Sequence, residues 1–236
     1  DLYQPSLKEA SRKKPVFFIH KYFARRITAN FRTALLDYIY DDNNLYYKLF
    51  KSSTEEIEAQ LVESIDGKLY FGDVIIPITV KYEESTTDGT VISKEYNVSK
   101  IVTKAFANCK NLTFVTIPES VSVMEDNIFE GCTELKSVYL LRSTPATLGN
   151  FGQGSNVTFY VLSDEALTEY QNSDSWKDLP LSVLNAIRTN YEWKLLKDNG
   201  LFANEVIKTF TIEDDIQLPF ADTKVDVGAN VTIDGK

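Results

Sequence analysis

Ala105-Phe106-x-x-Cys109-x-x-Leu112-x-x-Val115-x-Ile117 is followed by Ile128-Phe129-x-x-Cys132-x-x-Leu135-x-x-Val138-x-Leu140. Phe, Cys and three aliphatic positions recur at one fixed step, Phe106 to Phe129 and Cys109 to Cys132. A fixed step in the twenties predicts a solenoid, because one such coil cannot bury its apolar edge alone and must stack on the next. Thr158-Phe159-Tyr160-Val161 supplies a third strand, and the step from Leu140 to Val161 is slightly shorter. Side chains alternate along a strand. The inward ladder is therefore Leu112, Val115 and Ile117, then Leu135, Val138 and Leu140, then Phe159 and Val161.

The same alternation turns Phe114, Thr116, Ser137, Tyr139, Thr158 and Tyr160 outward. Three aromatics on one face of adjacent strands form a candidate ligand-binding platform, since Tyr and Phe serve as interface anchors and stack on sugars or apolar partners. Two plainer readings stand beside it. Aromatics pair across strands for about 0.2–1 kcal/mol each, and the N-terminal helices expected below would also cover them.

The 236 residues suffice for one or two domains with a substantial core. Hydrophobic residues make up 43% and no apolar run reaches the roughly 18 residues of a transmembrane helix. Asp1-Leu2-Tyr3-Gln4-Pro5 lacks the basic start and apolar core of a signal peptide. The net charge of -9 is uneven. Residues 1–32 hold eight Lys/Arg against Asp1 and Glu9, so the remaining residues carry -15. An acidic body repels nucleic acid, which is not an expected partner; the basic start would attract anionic surfaces or dock on the acidic body.

Nothing resembles catalytic or cofactor machinery. His20 is the only histidine and falls on an apolar stripe, where a satisfied core residue is the simpler reading. Asp41-x-Asn43 begins like a calcium loop but has Tyr46 where Gly is needed and Ser52 where a bidentate Glu should stand. No metal site, cofactor or enzyme activity is expected. Cys109 and Cys132 share one repeat position. Stacked coils lie about 5 Å apart, within disulfide reach, although a buried small hydrophobe is the plainer reading. The sequons at Asn97, Asn111, Asn156 and Asn230 matter only in a eukaryotic secretory host.

Around the repeats, residues 1–65 read as helical. Val16, His20, Phe23, Ile27, Phe31, Ala34 and Tyr38 recur at steps of three or four, beside Arg25, Arg26 and Arg32. This stripe fits a core-packing helix or a basic membrane-surface helix. A short helix is expected over 45–50, and Ser53 or Thr54 reads as an N-cap for 55–65. Asp66-Gly67 marks a switch to period two, with Thr86-Thr87-Asp88-Gly89 as a hairpin turn. These strands would cap the solenoid. In the third coil, Gly149 to Gly154 replaces the Phe-x-x-Cys segment with a glycine loop. Leu184, Ile187, Tyr191 and Leu195 suggest a helix from Pro180 to Asn199-Gly200, and residues 206–236 alternate as a β-hairpin or further β-domain.

From Ile101 to Val121, with Ala105-Phe106, Cys109, Leu112, Val115 and Ile117-Pro118, the chain resembles the BspA-type leucine-rich repeat family. Its pattern is Ile-x-x-x-Ala-Phe-x-x-Cys-x-x-Leu-x-x-Ile-x-Ile-Pro-x-Ser-Val, and Pro118, Ser120 and Val121 complete one copy. Gly72 to Pro77 looks like the family's opening strand, and Ser143 to Val161 with Tyr170 to Trp176 like its closing coil. The resemblance covers about residues 66–181. Val102-Thr103-Lys104 and Asp126-Asn127 depart from its Gly-containing turns. It implies a secreted or surface-attached bacterial protein linked to adhesion, with a signal segment already removed.

The expectation is an α+β chain: a helical region (1–65), a short leucine-rich-repeat solenoid with capping strands (66–181), and a helix with a β-hairpin tail (182–236). Its expected function is non-enzymatic, extracellular or cell-surface binding of a host protein or glycan through the outward strand face. The alternative is a structural spacer or presenting domain within a larger surface protein.

Overall fold

The computed structural model describes residues 38–41, 44–52, 54, 56–85, 89–151, 157–203, 208–212 and 231–235. The chain divides into two units, Asp1–Tyr38 and Ile39–Lys236. Of the helical stripe expected from Val16 to Tyr38, the residues from Val16 to Ala34, His20 included, lie outside the described residues, and Tyr38 opens a strand rather than continuing a helix.

The second unit is mostly strands: β1 (Tyr38–Tyr40), β2 (Tyr46–Lys51), β3 (Ile57–Val62), β4 (Gly72–Ile75), β5 (Thr79–Ser85), β6 (Val91–Ile101), β7 (Leu112–Ile117), β8 (Val123–Met124), β9 (Ser137–Leu140), β10 (Thr147–Leu148) and β11 (Thr158–Val161) come first. Helix α1 (Asp164–Gln171), β12 (Leu181–Val183), β13 (Ala186–Ile187), α2 (Asn190–Asp198), a 3-10 turn (Leu201–Ala203), β14 (Lys208–Ile212) and β15 (Val231–Gly235) follow.

Successive coils stack as parallel strands in two sheets. One runs β12-β11-β9-β7-β4, the other β1-β2-β3-β6-β8-β10 with β5 paired on β6. The registers reproduce the repeat: Val115 lies beside Val138 and Lys100 beside Val123, the same step that separates Phe106 from Phe129. Val138 pairs with Phe159, the shortened step.

Every expected inward residue, Leu112, Val115, Ile117, Leu135, Val138, Leu140, Phe159 and Val161, is buried. Each fully buried aliphatic or Phe contributes about 1.5–3 kcal/mol. Along the coil axis an aromatic ladder links Tyr70 to Phe106 (5.3 Å), Phe106 to Phe129 (5.3 Å), Phe129 to Phe151 (5.8 Å), Phe151 to Phe159 (5.1 Å) and Phe159 to Trp176 (5.5 Å). The third coil therefore keeps its rung. Phe151 fills the rung where the glycine-rich sequence was expected to replace the Phe-x-x-Cys segment.

Cys109 and Cys132 are free and buried. The Cys132 thiol donates to the Phe106 carbonyl at 3.0 Å, and burial pushes the Cys109 thiol up to about 11 and the Cys132 thiol up to about 12. Where glycine was expected in the turns, Lys104 (φ 62°) and Asn127 (φ 56°) take the left-handed conformation at equivalent positions of successive coils. For a side chain other than Gly that conformation costs about 1–2 kcal/mol, less for Asn.

Three expectations need correction. Residues 45–65 are not helical: β2 and β3 form an antiparallel hairpin, Tyr46 opposite Val62 and Lys51 opposite Ile57. Leu45 and Tyr47, and likewise Ala59 and Leu61, are buried at steps of two, the strand period. Between the two strands the Ser52 N–H donates to Glu56 O at 2.8 Å; Ser and Thr favour caps and turns for the same reason, a side chain that bonds nearby backbone. Residues 181–187 are two short strands, and the helix begins only at Asn190. The tail strands are parallel rather than a hairpin: Ala186 pairs with Thr211, and Lys208 with Val231. The hairpin from β5 to β6 is present, with Ser85 opposite Val91.

Candidate functional site

Strands β7, β9 and β11 set the outward residues in two rows. Phe114, Ser137 and Thr158 lie side by side, and beside them Thr116, Tyr139 and Tyr160. The alternation is as expected, but the platform is not open. Thr116 is 1% exposed and Tyr139 3%. Phe114, Ser137, Thr158 and Tyr160 are half-buried.

The cover is the segment around α2. Thr189 is its N-cap, and a capping box closes its first turn: the Glu192 N–H donates to Thr189 Oγ1 at 3.1 Å, and the Thr189 N–H donates to Glu192 Oε2 at 3.1 Å. The Arg188 N–H adds a third bond, to Oε2 at 2.6 Å. Glu192 is 2% exposed, and its other oxygen accepts the Tyr139 hydroxyl at 3.1 Å. A buried carboxylate is tolerable only when bonded in this way. Burial first, and the Glu192 charge second, push the Tyr139 phenol well above its ordinary range.

Tyr191 stacks on Phe114 at 4.4 Å, and its hydroxyl bonds Thr116. Trp193, Leu196, Phe202 and Phe210 build a second apolar cluster around Tyr139. The outward face is thus largely a second core, sealed by the C-terminal segment.

What stays open is a cleft of about 430 Å³ between the strand face and the start of α2. Thr113, Phe114, Lys136, Ser137, Tyr139, Thr158, Tyr160, Arg188, Thr189 and Glu192 line it. Five of the six expected site residues meet there, and Thr116 does not. Tyr139 and Tyr160 stack at 5.6 Å. The Arg188 guanidinium lies 5.6 Å from the Tyr160 ring centroid, donates to the Tyr160 hydroxyl at 3.2 Å, and approaches Glu192 Oε1 to 3.5 Å. The cleft is a shallow, open depression in which aromatic rings and polar groups converge.

Sequence reasoning missed Thr113, Lys136, Arg188, Thr189 and Glu192. Thr189-x-x-Glu192 is a capping-box signal that would have placed the start of α2, although nothing in it says where the helix docks. Among the described residues there is no group of three or more His, Cys, Asp or Glu able to hold a metal. No helix among them is long and apolar enough to cross a membrane.

Residues 82–173 match the family model for the BspA type Leucine rich repeat region, in 6 copies. Comparison with curated proteins finds no match. Among solved structures, a leucine-rich repeat protein from Bacteroides capillosus ATCC 29799 is 18% identical with a TM-score of 0.39, over 62% of this chain and 98% of that one. A leucine rich cell surface protein from Faecalibacterium prausnitzii A2-165 is 18% identical with a TM-score of 0.33, over 84% of this chain and 50% of that one. A leucine-rich repeat protein from Bacteroides ovatus ATCC 8483 is 17% identical with a TM-score of 0.31, over 77% and 48%. The chain spans about half the length of the latter two. The stretch from residue 82 to residue 173 is thus a BspA-type leucine-rich-repeat region, the family that the copies at Ala105 and Ile128 resemble.

Proposed function

We propose that this chain is a non-catalytic binding module of a bacterial surface protein, and that it takes its ligand in the cleft between β7-β9-β11 and α2. The observation that carries the reading is the convergence of Phe114, Ser137, Tyr139, Thr158 and Tyr160 with Arg188 on one concave surface of about 430 Å³. Repeat proteins commonly bind on surfaces built by stacked coils, and the BspA-type match supports a role in interaction. The ligand is a protein or glycan presented outside the cell.

The test is a screen of the purified chain against host matrix proteins and a glycan array, repeated with Lys136→Glu and Thr158→Arg, which fill or recharge the cleft without entering the core. The expected result is a hit that both variants lose while their circular dichroism and Tm match the parent. A hit that both folded variants retain would move the site elsewhere.

The second reading is a spacer that presents other domains. Its supporting observation is the β13-β14-β15 sheet, which continues parallel stacking outside the matched repeats, with Ala186 beside Thr211 and Lys208 beside Val231.

A further inference from the structure

Resting on the cleft being the binding surface, we propose that its ligand is an acidic saccharide, a sugar ring bearing a carboxylate, held with the carboxylate at Lys136 and Thr158.

The polar groups of the cleft differ in how far they are already used. Glu192 accepts from Tyr139, from two backbone N–H groups and from Arg188, so its charge is consumed inside the wall. The Thr113 hydroxyl donates to Asp73, which makes that end acidic. At the other end, the Lys136 ammonium and the Thr158 hydroxyl make no side-chain hydrogen bond or ion pair among the described residues. The two residues are fixed beside one another, because the Thr158 N–H donates to the Lys136 carbonyl at 2.9 Å. Lys136 is exposed at the mouth. The Arg188 guanidinium at the opposite wall is already paired with Glu192, which leaves Lys136 as the unspent cation.

The available charge of the cleft is therefore positive on a chain whose net charge is -9, and that contrast selects an anion locally while the acidic body repels polyanions. The strand arrangement argues against an extended peptide. Strands β7, β9 and β11 are each paired on both sides, so no edge is available here for an added strand. An aromatic floor with hydroxyls and one unspent ammonium suits a compact ring with polar substituents.

Isothermal titration of the whole chain with sialyllactose against lactose, and with digalacturonate against digalactose, tests this. A tetraglutamate peptide serves as the non-sugar acid. Both acidic sugars should bind about tenfold or more tightly than their neutral counterparts, as a charge-assisted hydrogen bond implies. Lys136→Gln should remove that preference, and salt should weaken binding. Equal binding of neutral and acidic sugars, a preference that survives Lys136→Gln, or tighter binding of tetraglutamate would overturn the saccharide assignment. If no sugar binds but a matrix protein hit is lost in Thr158→Arg, the cleft stands as a binding surface and only the saccharide proposal falls.

Discussion

The two faces of strands β7, β9 and β11 are buried by different means. The inward face carries Val115, Val138 and Phe159 in register and is covered by further copies of the same motif. The outward face carries Thr116, Tyr139 and Tyr160 in register and is covered by a segment outside the matched repeats, through Tyr191, Glu192 and Trp193. The repeat coils generate their own partner by repetition. The outward rows depend on one helix being placed correctly, and that placement leaves the cleft open between the strands and the start of α2.

The largest effect should follow from breaking the inward ladder. Phe106 is fully buried between Tyr70 and Phe129, and Phe106→Ala should cost about 3–5 kcal/mol, read as a lower urea midpoint for the whole unit. A loss below about 1 kcal/mol would mean that the ladder collapses around the cavity without penalty.

Glu192→Ala addresses the outward seal. It deletes the capping box and leaves the buried Tyr139 hydroxyl without its acceptor, a loss of about 1–3 kcal/mol. The amides of α2 should then exchange faster while those of β7 and β9 keep their protection. Equal acceleration in both regions would show that the two faces are one cooperative unit.

Alkali probes the inward face again. The two thiols lose their protons near 9 in the unfolded chain and near 11 and 12 in the folded one. Between about pH 9 and pH 12 the unfolded state binds fewer protons, so stability falls as pH rises. Cys132→Ala should flatten part of that slope in urea titrations. At about pH 8 both cysteines should resist iodoacetamide until the chain is unfolded.

The smallest effect lies in the coil turns. Lys104→Gly relieves a left-handed conformation, offset by the greater freedom of Gly in the unfolded chain. A net gain of about 0.5–1 kcal/mol in chemical denaturation is expected, and destabilisation would contradict the φ of 62°.

The same contrast explains what is legible in the sequence. The inward ladder can be read position by position because each rung repeats one burial requirement at one spacing. Phe151 escapes because its rung persists inside a glycine-rich stretch of sequence that lacks the neighbouring Cys. The β2-β3 hairpin reads as helix because Ser53 or Thr54 ahead of Glu55-Glu56 has the sequence of an N-cap, and that signal outweighs the period-two spacing of Leu45, Tyr47, Ala59 and Leu61. The outward set at Phe114, Tyr139 and Tyr160 follows from strand alternation alone. Its cover does not, because the pairing of Tyr139 with Glu192 joins two distant segments and carries no local periodicity.

Hydroxyl-radical footprinting of the native chain, resolved to single residues by mass spectrometry, tests the sealed outward face most directly. Tyr139 should be protected in the native chain while Phe71, 75% exposed, is labelled fast, and Tyr139 should become labelled in Glu192→Ala. Labelling of Tyr139 in the native chain at a rate near that of Phe71 would contradict the account, since it would mean that α2 does not cover the strand face.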